Sequence, residues 1–150
     1  MSRQSVAMFV LLTALAGWSC GSSPSAPGTT TPSVLPSAPS QPPKPLEGVA
    51  ITVTGRAFVV DPSSRFSIGA LRIYQCARLT FTNADVVPHD ILSDPPHIHS
   101  ECPELNTAGY LVPGQSRTTD PIDRLVTCGF HDHTREGDPA FAGRVTIEPR

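Results

Sequence analysis

Methionine is almost missing from this chain. Of 150 residues only Met1 and Met8 carry a thioether, and both sit in an apolar leader, so the processed protein has none to offer any site. A strong charge of either sign is also lacking. The net charge is −2, with nine arginines against thirteen acidic residues after residue 46 and no basic patch, which argues against a nucleic-acid partner. No apolar stripe of period 3.6 lasts beyond two turns, which excludes a helix bundle. No serine-histidine-acid motif, glycine-rich phosphate loop or pair of catalytic carboxylates stands out, and the chain reads as a binding protein rather than an enzyme.

What is present divides the chain into three. Arg3, the run MFVLLTALAG and the small residues around Ser19 to Ser22 read as an export signal over residues 1–19, too short in its apolar part to span a bilayer comfortably. The placement of Cys20 resembles a bacterial lipoprotein signal, which implies lipidation of that cysteine and a membrane-tethered, periplasmic or cell-surface protein. Gly17 and Trp18 depart from that pattern, so plain secretion is the alternative. Residues 20–46 hold eight of the 17 prolines and a single charge, Lys44, and cannot bury enough apolar surface to fold. They are expected to form a disordered tether. Residues 47–150 remain as the one foldable unit, of ordinary domain size.

Within that unit, runs of period-two alternation recur: VAITVTG, RAFVV, ALRIYQ, RLTFTN, HDIL, DRLVTCGF and GRVTIEP. Clusters rich in Pro, Gly, Asn, Asp and Ser separate them. Short strands at this spacing predict an all-β fold, an antiparallel Greek-key β-sandwich. Its core is expected to include Ile51, Val53, Leu79, Phe81, Ile91, Val126, Val145 and Ile147.

The chemistry lies in five histidines, His89, His97, His99, His131 and His133, and in the three cysteines after Cys20, namely Cys76, Cys102 and Cys128. Cys128 is expected to end a strand, with His131 in the turn beyond it and His89 at a neighbouring strand end. One thiolate and two imidazoles meeting there would hold a single copper ion, since soft sulfur retains Cu(I) and imidazole suits both oxidation states. Three thiols fit one bridge plus one metal thiolate, and a Cys76 to Cys102 bridge is the favoured pairing. A Cys102 to Cys128 bridge would abolish the site. His97 and His99, beside Pro95-Pro96, read as exposed loop histidines; the alternative is a second metal with Asp94 or Glu101. A structural zinc site lacks its second half.

The stretch Leu79 to Asn83 followed by Pro88-His89-Asp90 resembles the first-ligand region of plastocyanin-like cupredoxins. Cys128-Gly129-Phe130-His131 is similar to their Cys-x-x-His loop, and Gly143 to Ile147 to their closing strand. The segments SDPPHIHSECPELN and GYLVPGQSR resemble a small exported bacterial subgroup. The resemblance implies copper held by His89, Cys128 and His131, and single-electron transfer to a redox partner protein. The family's axial methionine has no counterpart here. His133 is a candidate for that position or for a partner to a ligand, Glu136 and Gln115 are others, and Asp132 is a candidate to orient a ring. Two other functions stay open: a copper carrier or buffer, and a metal-free sandwich with Cys128 in a disulfide.

Overall fold

The computed structural model describes residues 44–62 and 66–150. The leader, the lipidation expected at Cys20 and the tether through residue 43 lie outside the described residues. Eight strands follow in order: β1 Leu46–Val53, β2 Phe58–Val60, β3 Leu71–Asn83, β4 His89–Ser93, β5 Gly109–Leu111, β6 Ser116–Thr118, β7 Thr127–Asp132 and β8 Ala142–Glu148. None of the described helices is long and apolar enough to cross a membrane.

Alternation decides which way each strand faces. In β1 the residues Val49, Ile51 and Val53 are buried, and β3 buries Leu71, Ile73, Ala77, Leu79 and Phe81. The order of hydrogen-bonded neighbours is β2-β1-β3-β8-β7-β4-β5, with β6 added on β3. Phe58 on β2 and Phe130 on β7 are four strands apart in that order. In a flat sheet they would be separated by roughly 19 Å, yet their ring centroids lie 5.8 Å apart. The sheet therefore folds over on itself into a sandwich. Phe81 closes the cluster, 6.1 Å from Phe58 and 5.5 Å from Phe130.

The long strand β3 makes the turnover. Its first part, Leu71 to Tyr74, pairs with β8, and its last part, Arg78 to Asn83, pairs with β1. Between them Cys76 takes a left-handed backbone, φ 68°, which breaks the ladder and lets the strand change layers. The runs ALRIYQ and RLTFTN are thus one strand. The all-β expectation is met, with a difference in strand sense: β1 with β3 and β3 with β8 are parallel, and the other ladders are antiparallel. Of the expected core, Val126 is only partly buried and packs against the rest.

Candidate metal centre

Strand β7 decides the chemistry. It pairs with β8 from Thr127 to His131 and with β4 from Phe130 to Asp132, so it runs without a break through the stretch TCGFHD. Successive side chains on a strand point to opposite faces. Cys128, Phe130 and Asp132 turn inward, where Phe130 meets Phe58 and Phe81. Gly129 and His131 turn to the other face, beneath the carboxylate of Asp94. The odd spacing of Cys-x-x-His on an unbroken strand separates the two would-be ligands. The expectation that Cys128 ends a strand and His131 follows in a loop is corrected by this ladder.

The inward face commits the remaining members of the expected copper site. Cys128 is bonded to Cys102 and fully buried, which replaces the expected Cys76 to Cys102 pairing and leaves no thiolate for a metal. His89 is fully buried, with Nδ1 2.5 Å from Asp132 Oδ2 and Nε2 3.2 Å from Asp85 Oδ2. Both of its ring nitrogens face carboxylates inside the core, on the opposite face of β7 from His131. Asp132 also accepts from the backbone N–H groups of Asp90 and Thr134 and from the Thr134 hydroxyl. This network caps the short turn His133–Arg135 and fixes where His133 starts.

The outward face gathers a different set. One ring nitrogen from each of His99, His131 and His133 lies within 4.8 Å of the other two. Hydrogen bonds aim two of the rings. His131 Nδ1 donates to Asp94 Oδ1 at 2.7 Å, and His99 Nδ1 donates to the Ser93 carbonyl at 3.0 Å. An N–H held in this way fixes the tautomer and leaves Nε2 as the donor for a metal. His131 Nε2 and His133 Nδ1 are buried with no hydrogen-bond partner. Buried polar atoms nearly always have one, and two orphaned imidazole nitrogens side by side fit a shared cation.

The backbone supports the same reading. His97 and His99 both adopt left-handed conformations, φ 70° and 54°, each costing on the order of 1–3 kcal/mol for a non-glycine residue. That strain turns the loop so that the His99 ring lies 5.4 Å from His131 and 5.1 Å from His133. Of the two loop histidines, His97 is exposed as expected, and His99 belongs to the cluster. Glu101 lies outside the three-histidine group; its Oε2 accepts from Gly129 N–H and ties the loop to β7. Gln115 serves its own turn by accepting from Val112 N–H.

Gly129 is required by the closeness of Asp94. A Cβ there would stand 1.9 Å from Asp94 Oδ2 and 2.6 Å from its Cγ, so Gly129→Ala must push away the carboxylate that orients His131. The affinity of the three-histidine cluster for added Cu(II) is expected to fall by roughly 10- to 100-fold, the usual cost to a metal site of losing such a partner. Competition titration checks this, and an unchanged affinity would contradict the role given to Asp94.

Asp85 carries a pH dependence. The backbone N–H of Val86 holds its carboxyl below the ordinary value of 3.8; burial opposes this, and His89 and Arg135 add to the lowering. A carboxyl with a depressed folded pKa stabilises the fold above its unfolded value, and that contribution is lost as pH falls through and below this range. Asp85→Asn is expected to flatten the melting temperature against pH below about 4. An equally steep acid limb in the variant would contradict this.

No protein-family model matches the chain, and no curated protein matches it. Solved structures do. A mutant plastocyanin of fern matches at 17% identity over 66% of this chain and 99% of that one, TM-score 0.46. A purple cupredoxin from Nitrosopumilus maritimus matches at 18% identity over 66% and 98%, TM-score 0.44. Dithionite-reduced auracyanin from Roseiflexus castenholzii matches at 16% over 71% and 100%, TM-score 0.47. The likeness concerns the fold; what the site can do rests on this chain's own side chains.

Proposed function

We propose that this chain is an exported copper-binding protein of cupredoxin-like fold that holds one Cu(II) ion through His99, His131 and His133. The observation that carries the reading is the pair of buried, unpartnered nitrogens, His131 Nε2 and His133 Nδ1, facing a third imidazole. Imidazole donors suit copper, zinc and nickel alike, and for a given nitrogen site Cu(II) is bound most tightly. A bound copper would supply a Lewis-acidic, redox-capable centre. With Cys128 in a disulfide the site has no soft donor to retain Cu(I). Binding and delivery of Cu(II), as a carrier or buffer without turnover, is therefore favoured. Lipidation of Cys20 would keep the protein at a membrane surface.

A second reading, single-electron transfer to a redox partner protein, is supported by the rigid frame under His131, whose strand is paired on both sides. A reversible voltammetric wave from the copper-loaded protein would favour it, and its absence would leave the carrier reading alone.

The test of binding is a competition titration of the full chain with Cu(II). One ion per chain is expected, and His131→Ala is expected to weaken binding by at least about 100-fold, as loss of a direct ligand exceeds loss of a supporting partner. Wild-type affinity in His131→Ala would sink the assignment.

A further inference from the structure

A divalent ion placed among three neutral imidazoles brings charge into a partly buried site, and burying charge without compensation is costly. Three carboxylates around the cluster are already engaged. Asp94 holds His131, Glu101 holds Gly129 N–H, and Asp132 accepts from His89 and the turn at Thr134. Glu136 differs from them. Its Oε1 lies 3.1 Å from Nε2 of the exposed His97, and its Oε2 lies 3.9 Å from the buried, unpartnered Nδ1 of His133. The second distance is too long for a hydrogen bond. It lies between the roughly 3.3 Å that separates two donors at a tetrahedral angle and the roughly 4.1 Å that separates two on opposite sides of an ion, so the pair could share an ion after a small shift but does not share a proton.

Resting on the three-histidine reading, we infer that Glu136 is the fourth donor of the copper site, and that His97 is its resting partner when no metal is bound. His97 is about three-quarters exposed, at 76%, and Glu136 about one-third, at 33%. Their pair therefore contributes little to stability and is cheap to break. On loading, Glu136 exchanges His97 for the ion, its charge offsets that of Cu(II), and His97 returns to solvent. The site then has three nitrogen donors and one oxygen donor, which favours Cu(II) over Cu(I).

The test uses the full chain titrated with Cu(II) alone, with binding constants and electron paramagnetic resonance spectra for wild type, Glu136→Gln, His97→Ala and His131→Ala. Glu136→Gln is expected to keep one copper per chain, to bind it more weakly by on the order of 10- to 100-fold, and to shift the copper hyperfine parameters while retaining the nitrogen splitting. His97→Ala is expected to bind as tightly as wild type or more so, because the competitor for Glu136 is gone. Wild-type affinity and spectrum in Glu136→Gln would overturn the inference. Equal weakening in both variants would also overturn it, by making the pair a clasp between loops. His131→Ala reports separately: copper bound there as in wild type removes the three-histidine reading itself, whatever Glu136→Gln shows. Unfolding midpoints of the four proteins verify that each variant is folded.

Discussion

Replacing Cys102 and Cys128 together by alanine is expected to lower stability by about 3.5 kcal/mol and to leave copper binding in place. The bridge closes a loop across 26 residues, and its removal returns that loop-closure entropy to the unfolded chain. The ligands should survive because the loop bearing His99 has other ties to β7: Asp94 N–H donates to the Gly129 carbonyl, and Gly129 N–H donates to Glu101. Urea unfolding and a copper titration of the double variant check both halves. Were Cys128 a copper ligand, the same change would abolish the metal site.

His89→Ala is expected to cost about 1–3 kcal/mol from the buried Asp132 oxygen left without its hydrogen-bond partner, with a further loss from the cavity the ring leaves. Asp132 is fully buried and would lose its contact at 2.5 Å. The ring also stacks on Phe141 at 5.8 Å, so its removal opens a hole in the core as well. Since Asp132 caps the turn that begins at His133, copper affinity should drop with stability. A loss below about 1 kcal/mol, the worth of an exposed pair, would show that His89 is not the support described.

The sequence made the sandwich legible through alternation, and most strands lie where the apolar periodicity puts them. Strands β5 and β6 escaped it for a physical reason. Each has three residues, and β6 is wholly exposed, attached to β3 by hydroxyl contacts such as Thr82 Oγ1 with Ser116 Oγ. A segment with no buried face leaves no apolar signature.

The site was legible only in part. His131 and His133 stand out in the sequence as candidate ligands, but the Cys-x-x-His spacing suggests a loop where TCGFHD continues as strand. Nothing local in the sequence distinguishes a loop histidine that packs from one that does not, so the involvement of His99 is not legible there. A longer-range signal was present. His99 stands three residues before Cys102, and His131 three residues after Cys128. A bridge between those cysteines draws the two histidines toward each other, so the pairing that removes a thiolate site helps assemble an imidazole one.

The central claim is that any copper sits on imidazoles, on the face of β7 opposite Cys128. The most direct measurement is the visible and electron paramagnetic resonance spectrum of the Cu(II)-loaded full chain, taken with a count of titratable thiols. The account predicts one copper with a weak ligand-field absorption, splitting from coordinated nitrogens, and no thiol titrating at Cys128. An intense thiolate-to-copper band, lost in Cys128→Ser and retained in His99→Ala, would contradict it.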